Sequence, residues 1–420
     1  MIWLFWASAG LVAYVYLGYP LLLRLWSRTR PRPLRMAEPW KDLPGVSIVI
    51  AARNEGRVLE NRIANLLALD YAADRRQIIV VSDGSTDDTC AILRRHRSVV
   101  DGLEVPAGGK ARALNAGVAR ARHDVIVFTD ARQAFAPDAL VELVAPLQDP
   151  GVGIVTGELL LSGDARDRRR APGDRRHGGD ASRLDSERRA SQEQRGAITS
   201  TIAEGVGLYW EYEKGIRRDE SAIHSTIGAT GAIYAIRKSL WQPLPGDTIL
   251  DDVLTPMRAV LEGSRSIFTS RARAFDRPSA DVRAEWRRKV RTLAGNYQLL
   301  RLLPALLLPW RNPVWFQFMS HKVGRLVVPY ALLALLVSSA TLAGRAPLYG
   351  VAFGGQGLFY GLAAYGAWLD GHAPGAAFGH RSPEPRTVDR LARIALTFLV
   401  LNGSAVAGLG MFLLRRKVWG

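Results

Sequence analysis

Four long apolar runs bracket this chain and decide its class before any motif is considered. Met1–Leu23 is nearly continuous apolar sequence with no charge before Arg24, and Leu326–Ala343, Leu348–Leu369 and Ile394–Leu414 occupy the C-terminal part. Roughly 20 apolar residues span a bilayer as a helix, so the chain is expected to be a multi-pass membrane protein. The first run lacks the basic flank and small-residue cleavage site of a removable signal peptide and reads as an anchor. Arg24, Arg28, Arg30, Arg32 and Arg35 follow it, and the positive-inside rule then places the next segment in the cytoplasm. Gly344-Arg345-Ala346-Pro347 separates two of the C-terminal runs as a tight helical hairpin. Gly354, Gly355, Gly357 and Gly361, with Gln356 among them, suit close helix packing better than lipid exposure. Four crossings would leave Arg415, Arg416 and Lys417 on the outer side, so three and four crossings both fit.

The chain therefore divides into an anchor at 1–25, a Pro-rich linker at 26–44, a soluble domain at 45–300, an interfacial segment at 301–325 and membrane helices at 326–414. Lys+Arg 56 against Asp+Glu 39 gives a net charge of +17, but no aromatic is interleaved in the Arg-rich stretch Asp164–Arg195 and the rest of the excess gathers at membrane boundaries, which argues against nucleic acid as a partner. The single cysteine, Cys90, excludes an internal disulfide framework and a cysteine metal cluster. Seven scattered histidines offer no zinc cage. Asp164–Arg195 holds ten arginines and seven acids with no Val, Ile or aromatic residue, so it is expected to be a disordered insertion.

Within the soluble block, Val46–Ala51, Gln77–Ser82 and Val125–Thr129 are short β-branched runs, separated by helical patterns at Val58–Leu69, Thr86–Arg95 and Arg112–Arg122. This alternation predicts an α/β fold with a mostly parallel sheet. Such sheets bind ligands beyond the carboxyl ends of their strands. Those ends carry Ala52-Arg53-Asn54-Glu55, Asp83-Gly84-Ser85 and Asp130-Ala131-Arg132.

Each cluster has a chemical reading. Asp83 at a strand tip can accept hydrogen bonds from a nucleotide's imide or ribose, while Ser85 or Thr86 can cap the next helix. Asp130 can hold a divalent cation beside a diphosphate. Gly108-Gly109-Lys110 can approach phosphate through backbone N–H groups and one charge. Asp251 and Asp252 are adjacent carboxylates in an apolar setting, where one is raised in pKa and can serve as base; they can equally cap the helix before Leu254–Leu261. Arg288 and Arg291 share a helix face and can clamp a diphosphate, or form part of a juxtamembrane basic cluster.

As an ordered set these residues resemble membrane-anchored family 2 glycosyltransferases, the group that includes cellulose, chitin and hyaluronan synthases. The resemblance covers Val46 to about Leu300. It implies a GT-A, Rossmann-like domain that binds a nucleotide-sugar through Ala52, Arg53, Asn54, Glu55, Asp83, Gly84, Ser85, Lys110, Asn115, Asp130 and Arg132. Gly228-Ala229-Thr230-Gly231 matches the acceptor-side glycine turn, so Gly228, Thr230 and Gly231 are expected at the acceptor with Arg288 and Arg291. The family's catalytic base falls on Asp251-Asp252, with Asp252 as the base. Its Asp-x-Asp metal motif is half matched, with Asp130 as the expected ligand for Mg²⁺ or Mn²⁺ and Arg132 in place of the second acid. The Gln and Trp of its Gln-x-x-Arg-Trp motif are both replaced where Arg288-Lys-Val-Arg291-Thr292 stands. The expected activity is inverting transfer from a nucleotide-sugar, a UDP-sugar by preference, to a polysaccharide or lipid-linked acceptor at the cytoplasmic face of a bacterial inner membrane. The alternative is a non-catalytic nucleotide-binding membrane scaffold of a polysaccharide assembly complex.

Overall fold

The computed structural model describes residues 1–35, 43–161, 201–276, 282–372 and 387–414. The Arg-rich stretch at 164–195 and the basic residues 415–417 lie outside the described residues.

Helix α1 (Ile2–Thr29) precedes the α/β domain. There the β-branched runs form strands: β1 (Val46–Ala52), β2 (Arg76–Asp83) and β4 (Val125–Phe128), with a short edge strand β3 (Asp101–Val105). These four pair in parallel in the order β3-β2-β1-β4. Helices α2 (Gly56–Leu67), α3 (Thr89–Arg95) and α4 (Lys110–Arg120) connect them. Successive side chains on a strand face opposite ways, and β1 shows it: Ile48 and Ile50 join the core with Leu59 and Ile63 of α2, while Val49 packs on the other face with Leu114 and Val118 of α4.

The second half of the sheet breaks the parallel pattern. β5 (Ala134–Phe135) leads through α5 (Ala139–Val144) into β6 (Val152–Leu161). Helix α6 (Thr201–Ile223) precedes β7 (Tyr234–Arg237), and α7 (Asp251–Leu261) leads to β8 (Arg265–Asp276). β7 runs antiparallel to both β4 and β6, β6 runs parallel to β8, and the full order is β3-β2-β1-β4-β7-β6-β8-β5. The expectation of a mostly parallel sheet holds, with β7 and β5 as antiparallel members.

Helix α8 (Val282–Leu302) then carries the chain towards α9 (Trp315–Leu342), α10 (Pro347–His372) and α11 (Thr387–Leu413). Among the described residues three helices, α1, α9 and α11, are long and apolar enough to cross a membrane. Helix α10 is long but glycine-rich, and its glycines correct a sequence expectation. A side chain at Gly354, Gly355, Gly357 or Gly361 would meet nothing within 4 Å, so they are not points of close packing. The close contact is made further along by Gly366, where a Cβ would stand 2.6 Å from the Ala392 carbonyl oxygen of α11.

Candidate active site

The site grows from the carboxyl tips of β1, β2 and β4. Asp83, the last residue of β2, is buried, and its carboxylate accepts the backbone N–H of Gly108 at 2.6 Å and of Gly109 at 2.9 Å. Gly109 stands at φ +91°, a conformation that costs glycine little and other residues much. The turn so held points Lys110, first residue of α4, across the strand tips. Its Nζ lies 3.2 Å from Asp130 Oδ1, past the end of β4, and 3.4 Å from Asp251 Oδ2, at the start of α7. One ammonium thus ties together carboxylates that are 121 residues apart in sequence.

Asp251 and Asp252 are the first two residues of α7 and lie in its first turn, but they do not cap it: Leu250 holds the cap position and no side chain makes a cap hydrogen bond there. Acids in a first helical turn also favour the helix dipole. Burial, and then the Asp251 charge, push the Asp252 carboxyl up to about 6, opposed by Lys110, Lys322 and Arg217. Burial disfavours the Lys110 charge, but Asp130, Asp251 and Asp252 outweigh it and hold the ammonium above its ordinary range. Gly231 abuts the pair, since a Cβ there would stand 3.0 Å from Asp252 Oδ2. In the same turn, Thr230 donates its backbone N–H to Thr156 Oγ1 at 2.8 Å and accepts from Arg217 at 2.6 Å. Gly228 approaches α7 closely, and the Ala229 N–H donates to the Asp252 carbonyl at 2.7 Å.

The nucleotide-side loops interlock. Asn54 stands at φ +56°; its N–H donates to Ser85 Oγ at 3.1 Å and its Oδ1 accepts the Thr86 N–H at 2.8 Å. Ser85 is therefore a loop tie, and the start of α3 is served by Asp87, whose Oδ1 accepts the Thr89 N–H at 3.0 Å. Gly84 donates its N–H to the Val105 carbonyl at 2.9 Å, Ala52 is buried, and Arg53 is exposed at the rim. Glu55 feels Asp130 and Arg132; burial raises its carboxyl, Arg132 opposes and Asp130 adds to the rise. Arg132 turns to Asp276, with Nε 3.2 Å from Oδ2. Asn115 exchanges two hydrogen bonds with the Leu244 backbone, at 2.8 and 2.9 Å, bracing the segment that leads to Asp251.

Arg288 and Arg291 sit on α8. What α8 brings to the site is Gln298. Its Oε1 accepts the Ile249 N–H at 2.9 Å, and its amide donates to the Asp247 carbonyl at 2.8 Å, steadying the approach to Asp251.

Four contributors had no readable sequence signal. Tyr234 of β7 is wholly buried, stacks on Phe128 at 4.8 Å, and has a hydroxyl without a hydrogen-bond partner that feels Asp130, Asp251 and Asp252. Buried Arg62 donates to Thr129 Oγ1 at 2.7 Å, beneath Asp130, and lies 4.3 Å over Phe135. Burial pulls its guanidinium down to about 9 while Asp130 opposes. Arg217 and Lys322 complete the electrostatic surround of Asp252.

Residues 47–209 match the Glycosyl transferase family 2 model. The chain carries a family 2 glycosyltransferase domain. Poly-beta-1,6-N-acetyl-D-glucosamine synthase of Staphylococcus aureus is 32% identical over 120 residues, which are 28% of this chain and 29% of that enzyme. Beta-monoglucosyldiacylglycerol synthase of Synechocystis is 30% identical over 169 residues, 39% of this chain and 35% of its own length. The chain thus spans about a third of the length of these curated relatives. A mannosyltransferase from Pyrobaculum calidifontis, solved with GDP-mannose and Mn²⁺, superposes on 99% of this chain and 100% of its own with a TM-score of 0.64 at 21% identity. The α/β domain has the GT-A fold, a Rossmann-like, mostly parallel mixed sheet.

Proposed function

We propose that the chain is an inverting glycosyltransferase that moves a sugar from a nucleotide-sugar, a UDP-sugar by preference, to an acceptor hydroxyl at a cytoplasmic membrane surface. The observation that carries this reading is the convergence of Asp130, Asp251 and Asp252 on Lys110, with Asp252 raised to about 6. A carboxylate tuned near the working pH is suited to general base catalysis. The nucleoside lies between the Ala52–Glu55 and Asp83–Ser85 loops and the diphosphate beside Lys110. The acceptor oxygen bonds to the anomeric carbon as the bond from that carbon to the diphosphate breaks, and its proton passes to Asp252. Lys110 faces the charge that grows on the departing oxygen, and Tyr234, kept protonated by burial and three acids, offers a hydroxyl donor in the same place.

Among the described residues no group of three or more His, Cys, Asp or Glu is placed to hold a metal, and Arg132 stands where a second acid would be. A divalent ion arriving with the diphosphate would have Asp130 as its protein ligand and would add positive charge at the leaving group. Membrane placement is supported by the three apolar helices and by the arginines that follow the first of them.

The test is a screen of radiolabelled UDP- and GDP-sugars against membranes containing the chain, with Mg²⁺, Mn²⁺ or EDTA, followed by product sizing. Asp252→Asn is expected to lose about 10²–10⁴-fold in turnover while retaining nucleotide binding. Near-normal turnover of that variant removes Asp252 from the role, and absence of transfer from every donor favours the scaffold.

A further inference from the structure

Helices α1 and α9 meet α6 at one buried polar cluster, and both are distorted there. α1 carries a π-helical segment at Tyr14–Gly18, and α9 carries another near its start, at Phe318–Val323. The two segments touch: the Tyr14 hydroxyl lies 2.6 Å from Ser320 Oγ, and a Cβ at Gly324 would stand 2.9 Å from Val15 Cγ2. A π turn inserts a residue, and one residue turns a helix by about 100°, so the side chains beyond it are re-aimed. Here Tyr19, directly after the first segment, and His321, inside the second, both point at Glu220 of α6. From the same helix, the Tyr212 hydroxyl donates to the Tyr16 carbonyl of the first segment at 3.0 Å.

Glu220 is fully buried, and its two carboxylate oxygens face different parts of the molecule. Oε1 accepts the Tyr19 hydroxyl at 2.9 Å and stands 2.7 Å from His321 Nδ1. The other ring nitrogen of His321 is 3.3 Å from Glu213, which pairs with Arg325 of α9, so the ring is held from both edges. Oε2 accepts the Ile227 N–H at 3.3 Å. Ile227 opens the turn that ends against Asp252. Within that turn Gly228, at φ +102°, packs on Val253, the Ala229 N–H donates to the Asp252 carbonyl at 2.7 Å, and Gly231 abuts Asp252 Oδ2. The sheet holds the flanks of the turn, where the Thr226 N–H donates to the Ser266 carbonyl and the Thr230 N–H to Thr156 Oγ1. Glu220 holds it from the helix side.

Building on the transfer reaction proposed above, we infer that Glu220 is a positioning residue for Asp252: it fixes the 227–231 turn through Ile227 and takes its own place from Tyr19 of α1 and His321 of α9. The seating of two apolar helices thereby sets where the base stands. A buried carboxylate needs partners wherever it lies. That need alone does not require its second oxygen to reach the turn beside Asp252, nor two distorted helices to aim at its first. Glu220 takes no proton from the acceptor; it acts on the reaction only by holding the backbone against which Asp252 rests.

The test is hydrogen–deuterium exchange of the 225–231 amides in the purified full chain without nucleotide-sugar, paired with steady-state transfer. Tyr19→Phe removes only the α1 hydroxyl, and Glu220→Gln keeps the shape but leaves an amide that accepts on one side only. Both are expected to speed exchange at 225–231 about tenfold or more, the loss of one hydrogen bond to a charged group. Both are also expected to lower kcat about tenfold while the KM for the donor stays unchanged. Tyr365→Phe, which removes a hydroxyl 3.2 Å from Asp389 at the α10–α11 junction, is expected to change neither. Unchanged exchange at 225–231 in Tyr19→Phe and Glu220→Gln overturns the inference whether or not the chain transfers sugar. Faster exchange with an unchanged kcat overturns it too, as does an equal rise in all three variants. If Glu220→Gln fails to fold, Tyr19→Phe decides. If the unmodified chain uses no donor, the transfer reading falls, and exchange alone decides whether Glu220 holds the turn.

Discussion

Asp252 acts through its surroundings more than through its own chemistry. Burial and Asp251 lift its carboxyl to about 6, while Lys110, Lys322 and Arg217 oppose the rise. A base works only when ionised, so transfer is expected to increase with pH through an acid limb near 6 and level off above it. Asp251→Asn removes the neighbouring negative charge and moves that limb to lower pH. Lys110→Met removes an opposing cation and moves it to higher pH. A pH profile of kcat/KM for the three proteins checks both signs, and a limb that stays in place in both variants would sink the assignment. Asp83, Lys110, Asp130 and Asp251-Asp252 were legible because strand ends and helix starts announce themselves in hydrophobic pattern. Tyr234 was not, since in Ile233-Tyr-Ala-Ile236 it looks like any aromatic in a buried strand, and only the neighbours that β4 and α7 supply make its hydroxyl part of the site.

The elements around the site differ in how plainly their sequences declare them. β1, β2 and β4 are buried on both faces and read as continuous β-branched runs. β3, Asp-Gly-Leu-Glu-Val, is a half-exposed edge strand whose polar alternation resembles a loop. β6, β7 and β8 pair across long sequence separations that no local pattern encodes. The turn before β7 is tightly constrained, because a Cβ at Gly231 would stand 3.0 Å from Asp252 Oδ2. Gly231→Ala would force the carboxylate aside by a few tenths of an ångström, and misplacement on this scale is expected to lower kcat by up to about 10²-fold. Nucleotide binding should persist; an unchanged kcat would show that the carboxylate has slack. Glycines in α10 were expected to mark close packing, yet four of them face open space, because glycine content does not say which side of a helix another helix will cover.

Across the molecule, the N-terminal helix is tied to the α/β domain by polar contacts as well as apolar ones. Arg24 lies 3.2 Å from Asp219, Ser27 donates to Asp219 at 3.0 Å, and Tyr19 donates to Glu220 at 2.9 Å. Glu220 is fully buried and also receives His321 of α9, so it joins α1, α6 and α9 at one point. Removing one partner of a buried charged network typically costs about 3–5 kcal/mol. Glu220→Ala is therefore expected to lower the apparent melting temperature of the detergent-purified chain markedly, whereas the rim variant Arg53→Ala leaves it unchanged. A Glu220→Ala protein that melts with the parent would show the three helices to be held by apolar packing alone.

Local pattern was enough for some conclusions here: apolar run length foretold helices able to cross a membrane, and buried β-branched runs ending in acids foretold a mostly parallel sheet with acids at its tips. Those properties depend on residues adjacent in the chain. The folded molecule alone decided which acids share Lys110, that Arg132 is drawn to Asp276, and that the charges of Arg217 and Lys322 act on Asp252. Charge interactions decay over a few ångströms in a partly buried site. Residues 110, 217, 252 and 322 can govern one another only after the sheet, α6, α7 and α9 have brought them into one cleft.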